Sequence, residues 1–379
     1  MNRLYKMILV VAIGFAGLAM GGEKMTLKDA FDGKFHVGAA LGRGLFQEPG
    51  QPTLELVARQ FNTVTPENCM KWEPFNPEPG QFNYEAADEF VAFGKKHDMY
   101  VVGHVFFWNN QTPDWVYKDA EGRQLTREAL LKRMRERVRS IAERYKGKFH
   151  AWDVVNEMYN RGWLRRINWI GIIGDDFIEQ AFRIADAELP KDVELIYNDF
   201  SMTDPRKRDA VVKMVRDLKQ KGVRIDGVGM QGHWSIDSPR IEEIEASIVA
   251  FAEAGVDVHI TELDIDVLPR HPKMRSGDAD VKLKLQDDPT LNPYTEGLPE
   301  DMQEKLAQRY QDIFGLFLKH HDKIKRVTFW GTTDKHSWLN GWPIKGRTNY
   351  PLLFDRDGKP KPACHAVLEL VKDDNHPEK

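Results

Sequence analysis

From Met25 onward the chain alternates between short apolar runs and longer amphipathic ones. Apolar, β-rich stretches fall at Phe35–Ala40, Asn62–Pro66, Tyr100–Val105, His150–Val155, Val193–Tyr197, Ile225–Met230, Val256–Thr261 and Arg326–Trp330. Their brevity and composition predict strands buried on both faces. Between them the apolar positions recur at helical spacing, as in Thr126–Tyr145, Asp204–Lys221, Pro239–Ala254 and Glu300–His321. Asp204-Pro205 and Ser238-Pro239 read as helix starts, and Gly222 and Gly255 stand just past helix ends. Eight such strand–helix units predict an α/β protein built as one (β/α)8 barrel, a single domain over residues 25–379. The competing open, doubly wound sheet would carry a Gly-rich phosphate loop after its first strand, and none follows.

Two stretches break this rhythm. Residues 1–21 carry Arg3 and Lys6 ahead of an apolar run from Met7 to Met20, too short to span a bilayer comfortably. With small residues at Ala19 and Gly21, the segment reads as a signal peptide cleaved after Gly21. Export to a periplasm or the medium is expected, with no membrane attachment after cleavage. The second break, Asp266–Pro299, is long and charged, and sits between the seventh strand and its helix. That is too long for an ordinary connection, and it reads either as a wall of the cleft or as a disordered excursion.

Composition narrows the partners. A formal charge of −4 gives no reason to expect nucleic acid or an anionic membrane as partner. The two cysteines, Cys69 and Cys364, make neither a disulfide framework nor a metal cluster, and read as free thiols. A monomer is expected. The 10 tryptophans are a rich supply, about half of which core filling covers, and an indole face stacks well on a sugar ring.

In a barrel the chemistry collects at the C-terminal ends of the strands. The polar residues there are Glu67, Asn68 and Lys71 after strand two, and His104, Trp108 and Gln111 after strand three. Asn156 and Glu157 follow strand four, Asn198 and Asp199 strand five, and Gln231 and His233 strand six. Strand seven contributes Glu262 and Asp264, strand eight Trp330, with Trp338 in the loop beyond. Taken singly each has a dull reading, such as a core Trp or a His satisfied by backbone. Together they surround two strand-end carboxylates, Glu157 and Glu262, with amides, imidazoles and indoles. That suits a sugar better than a phosphate, and paired carboxylates are what glycosidic cleavage requires. No cofactor is called for. A metal site through His104, His233, His259 and Glu262 lacks any HxH or HExxH spacing.

Several motifs then carry a resemblance. They are Thr65-Pro-Glu-Asn-Cys-Met-Lys-Trp72, the run from Gly103 to Trp115, Trp152-Asp-Val-Val-Asn-Glu157, Tyr197-Asn-Asp199, Gly229-Met-Gln-Gly-His-Trp234, Ile260-Thr-Glu-Leu-Asp264 and Val327-Thr-Phe-Trp-Gly331. Pro351-Leu-Leu-Phe-Asp355 and Lys359-Pro-Lys-Pro-Ala363 close the set. In this order, over nearly the whole mature chain, the sequence resembles glycoside hydrolase family 10, the retaining endo-β-1,4-xylanases. The resemblance implies Glu157 as general acid/base and Glu262 as nucleophile, acting on xylan and xylo-oligosaccharides. It places Glu67, Asn68, Lys71 and Gln111 on the glycone side, with Trp338 nearby. It puts His104, Trp108, Asn156, Gln231 and Trp330 around the sugar at the cleavage point, with Asn198 among the binding residues. His233 would hydrogen-bond Glu262, backed by Asp264. One departure is Asn109-Asn110, where the family usually has His-Ser or His-Asn.

Electrostatics predicts how the two glutamates divide the work. Carboxylates about 5.5 Å apart repel by roughly 3 kcal/mol at an effective dielectric near 20, about 2 pKa units. One should stay protonated while the other ionises, and the His233 bond favours Glu262 as the ionised partner.

Overall fold

The computed structural model describes residues 25–270 and 288–374. Eight parallel strands form the wall of a barrel: β1 (His36–Leu41), β2 (Thr63–Pro66), β3 (Tyr100–Phe107), β4 (Ala151–Asn156), β5 (Glu194–Asp199), β6 (Gly227–Met230), β7 (Asp257–Asp266) and β8 (Ile324–Phe329). They pair in chain order, and β8 closes on β1 with Arg326 opposite His36. The main outer helices are α1 (Pro52–Gln60), α2 (Glu85–Lys96), α3 (Arg127–Arg144), α4 (Phe177–Glu188), α5 (Pro205–Gln220), α6 (Ile241–Glu253), α7 (Glu300–Lys319) and α8 (Pro362–Asp374).

The strands are short and apolar because both faces are covered. Outward residues pack under the helices, while Val102, Ala151 and Ile196 form a separate apolar cluster with Tyr100 at its edge. Trp152 stacks on Phe106 with ring centres 3.9 Å apart. That stack needs a glycine beside it, since a Cβ on Gly103 would lie 2.2 Å from the Trp152 ring. Helix starts follow local chemistry. Thr126 accepts from Ala129 N–H to cap α3, and Asp204 accepts from Arg206 N–H to cap α5, with Pro205 at the first turn.

Most element boundaries shift by one or two residues from the sequence reading, and two of the differences have a clear local cause. Helix α6 begins at Ile241, because Ser238 is taken into a turn in which its carbonyl accepts from Ser235 N–H (2.8 Å). Arg240 N–H instead donates to Glu243 Oε2 (2.9 Å), and that closes the helix end. The larger difference is β7, expected to stop at Thr261 but running to Asp266. Past Ile260 its pairing with β6 ends, and Asp264, Ile265 and Asp266 pair with His233, Trp234 and Ser235. Glu262 is therefore held inside a strand rather than on a loop.

The proposed signal segment lies outside the described residues, as does the middle of the long insertion. The described C-terminal part of that insertion is tied to the loop after β8. Tyr350 Oη donates to Tyr294 O (2.8 Å) and Thr348 N–H to Asn292 Oδ1 (2.8 Å). Cys69 and Cys364 are free, and burial pushes both thiols up to about 12, so neither is a nucleophile at neutral pH. Among the described residues no helix is long and apolar enough to cross a membrane.

Candidate active site

Strand β4 ends on Asn156, and the next residue, Glu157, turns into the left-handed region with φ of 60°. A glutamate there costs on the order of 1 kcal/mol or more and persists only where its surroundings enforce it. Here its N–H donates to Asn198 O across the strand gap (3.0 Å). The carboxyl is clamped at both oxygens: Oε1 accepts from Gln231 Nε2 (2.8 Å) and Asn156 Nδ2 (3.2 Å), and Oε2 from Trp108 Nε1 (2.9 Å). Burial raises its pKa, with the charges of Asp199 and Glu262 adding to that, against the bonds from Gln231 and Trp108. Burial thus favours the protonated form of Glu157.

Glu262 is held quite differently. Its Oε1 accepts from Asn198 Nδ2 (2.7 Å), and its Oε2 faces His233 Nε2 (3.1 Å). His233 Nδ1 bonds Asp264 Oδ2 (3.0 Å), which also accepts from Trp338 Nε1 (2.7 Å). Burial disfavours a charged imidazole, but Asp264 and Glu262 outweigh it and carry His233 up to about 10. Burial would likewise raise Glu262, yet the bond and charge of His233, with His104 and Lys71, hold it below 4.5. Two carboxyls at one mouth are thus driven in opposite directions. The sequence reading gave mutual repulsion the main part. In the structure burial comes first for Glu157, and Asp199 ranks ahead of Glu262.

The β2 flank carries a connected polar group. Lys71 Nζ donates to Asn68 Oδ1 (3.0 Å), whose Nδ2 donates to Glu67 Oε1 (3.1 Å). The end of β1 leaves room for this carboxyl, because a Cβ on Gly42 would lie 2.8 Å from Glu67 Oε2. Lys71 also sits 4.7 Å from the Trp108 ring centre and 6.0 Å from that of Trp330. His104 bonds Asp153 Oδ2 through Nδ1 (2.8 Å) and meets the Trp330 ring edge-on at 5.2 Å. Gln111, with φ of 49°, stands in the loop after β3, and its carbonyl accepts from Glu73 N–H (2.8 Å) just beyond Lys71. Trp338 packs at 4.8 Å from His233 and stacks on Trp342 at 4.6 Å.

Asn198 is placed differently from the expectation of a sugar contact. Its Nδ2 serves Glu262 Oε1 and Asn156 Oδ1 (3.0 Å), and its Oδ1 accepts from Thr261 Oγ1 (2.6 Å). Fully buried and fully used, it orients the two residues that flank it. Two participants received no role from the sequence. Asp153 sits in the middle of an apolar strand, and a carboxylate there was itself a sign of a buried partner, His104. Asp199 accepts from Lys207 Nζ (2.6 Å) and Tyr197 Oη (2.6 Å), and a lysine on the inner face of α5 was the matching sign. Among the described residues no group of His, Cys, Asp or Glu is arranged to hold a metal ion.

A shift in the pH profile follows from this geometry. Turnover needs Glu262 ionised and Glu157 protonated, so the acid limb of kcat/KM reports Glu262 and the basic limb Glu157. In His233→Asn the cation that lowers the Glu262 pKa is gone while its burial remains. The acid limb is expected to move to higher pH and the basic limb to move less. An unmoved acid limb would show that His233 does not set the nucleophile's charge.

Two carboxyls at one barrel mouth with pKa values driven in opposite directions suit displacement at an anomeric carbon, and the class so defined is a glycoside hydrolase on a (β/α)8 scaffold. The chain belongs to glycosyl hydrolase family 10, whose sequence profile matches residues 26–370. It is 44% identical over 355 residues to endo-1,4-beta-xylanase A of Xylanibacter ruminicola, covering 93% of this chain and 95% of that one. It is 39% identical over 353 residues to the endo-1,4-beta-xylanase of Geobacillus stearothermophilus, covering 91% and 98%. Among solved structures, a family 10 endoxylanase from a sugarcane soil metagenome superposes with a TM-score of 0.87 at 49% identity, covering 91% of this chain and 99% of that one.

Proposed function

We propose that this chain is an endo-1,4-β-xylanase that cleaves internal bonds of xylan with retention of anomeric configuration. The observation that carries the chemistry is the contrast between Glu157, whose pKa burial raises, and Glu262, whose pKa the bond and charge of His233 lower. Glu262 attacks the anomeric carbon while Glu157 gives its proton to the departing glycosidic oxygen. The now ionised Glu157 then removes a proton from water, which displaces Glu262 and releases the sugar. Asn156, oriented by Asn198 and Gln231, supports the sugar 2-hydroxyl as charge develops at the anomeric carbon. Glu67, Asn68 and Lys71 hold the next sugar on the glycone side.

The substrate rests on the names of similar proteins and on a steric argument. Trp330 is buried against His104, and with Trp338 it would crowd the hydroxymethyl group of a glucose ring bound there. Xylose has no such group. Aryl β-xylobioside is therefore expected to give a clearly higher kcat/KM than aryl β-cellobioside. Xylan is expected to yield reducing sugar as short oligomers, while mannan and soluble cellulose lag behind, and proton NMR should show the β-anomer first. Equal rates on the two aryl substrates, or an initial α-anomer, would overturn this reading.

The basic and apolar residues 1–21 support export to a periplasm or the medium. N-terminal sequencing of the exported protein should then begin at Gly22.

A further inference from the structure

Immediately past Glu157 the chain forms a hairpin that the chemistry above leaves unused. Tyr159 pairs with Leu164 and Asn160 with Trp163, antiparallel, across the two-residue turn Arg161-Gly162. Both turn residues are left-handed, with φ of 48° and 98°, as a tight hairpin of this kind requires. The hairpin is braced on several sides. Tyr159 N–H donates to Asp199 Oδ2 (3.3 Å), and Arg165 N–H donates to Met158 O (2.8 Å). A Cβ on Gly162 would lie 2.8 Å from Arg206 O, so the turn rests on the first turn of α5. On this fixed support Trp163 is 79% exposed. The other exposed large apolar side chain among the described residues, Phe82, is 37% exposed and stacks on Tyr84.

Single exposed apolar residues are common, so exposure alone says little. Position is what distinguishes Trp163. Glu157 protonates the departing oxygen, so the leaving sugars lie on its side of the cleft, away from the Glu67–Lys71 group at β2. The hairpin continues from Glu157 toward α5, on that same leaving side. Asn160 is three residues from Glu157 and pairs with Trp163, which puts the Trp163 Cα within roughly 16 Å of the Glu157 Cα. That is a reach of a few sugar rings. A largely exposed indole on a braced support suits stacking on a pyranose ring.

We propose that Trp163 is the stacking platform of a distal subsite for the leaving part of the xylan chain. The proposal rests on the xylanase reading, and its test separates the two. Wild type, Trp163→Ala and Trp163→Phe are compared on aryl β-xylobioside, whose leaving group is too short to reach the hairpin, and on xylo-oligosaccharides of increasing length. Sedimentation of all three accompanies the kinetics. Trp163→Ala is expected to leave the aryl substrate unchanged and to lower kcat/KM about three- to ten-fold once the substrate spans the hairpin, mainly through KM. Trp163→Phe should restore most of that loss. Equal values for wild type and Trp163→Ala at every length would overturn the subsite. So would a wild-type dimer that Trp163→Ala dissolves without a length-dependent effect, since the indole would then be an interface. If wild type itself failed to cleave xylan, the xylanase reading would fall instead.

Discussion

Glu262→Ala is expected to abolish hydrolysis of every substrate, whereas Glu157→Ala should separate substrates by their leaving group. Without Glu262 no covalent intermediate can form, and the loss of a covalent nucleophile is felt at roughly 100,000-fold or more in kcat. Glu157 acts by proton transfer, whose contribution is about 100- to 10,000-fold. Xylan departs as a poorly stabilised alkoxide and needs that proton, so Glu157→Ala should lose most of its activity on the polymer. A nitrophenolate departs without help, so the first step on an aryl xylobioside should survive, visible as a burst followed by slow turnover. The structural basis is the separation of environments. The Gln231 and Trp108 side chains donate to the Glu157 carboxyl, while His233 bonds the Glu262 carboxyl. If the two variants lost the same amount on both substrates, the division of roles would be wrong.

The second large effect is on stability. Asp199 and Lys207 form an ion pair at 2.6 Å with both side chains essentially inaccessible to water. In Asp199→Ala the Lys207 ammonium would keep, among the described residues, the hydrogen bond to Phe200 O (2.9 Å) and would remain a buried charge without a counter-ion. Such a loss costs about 3–5 kcal/mol. The same change takes an acceptor from Tyr197 Oη and from the N–H groups of Tyr159 and Phe200. Denaturant unfolding should show a lower midpoint with an unchanged slope, and activity below the midpoint should also fall, because Tyr159 follows the Glu157 turn. A cost under about 1 kcal/mol would mean that the buried pair does not hold this side of the mouth together.

Much of the barrel was legible beforehand because burial on both faces leaves a plain mark. An all-apolar strand such as Val101-Val102 or Val154-Val155 has no solvent side to encode, and Gly222 and Gly255 mark the sharp turns after their helices. The two glutamates stood out because a charged residue ending such a strand needs a purpose. The end of β7 was misjudged for a specific reason. Its continuation from Glu262 to Asp266 pairs with His233–Ser235, a partner distant in sequence whose own run is too short to read as a strand.

What the sequence determined by itself was the alternation of elements, the barrel they form and the identity of the residues at its mouth. Local pattern decides these, since a strand buried between helices must be apolar and a group at its end need not be. What only the tertiary structure decided was the charge each group carries and whom it serves. Nothing in the string Thr261-Glu262 says that Asn198 is used up between Asn156 and Glu262, or that burial rather than mutual repulsion is the chief cause raising the Glu157 pKa. Desolvation depends on every atom packed around a carboxyl, and a hydrogen bond on two groups meeting within about 3 Å. Residues far apart in the chain meet at that range only once the barrel has closed.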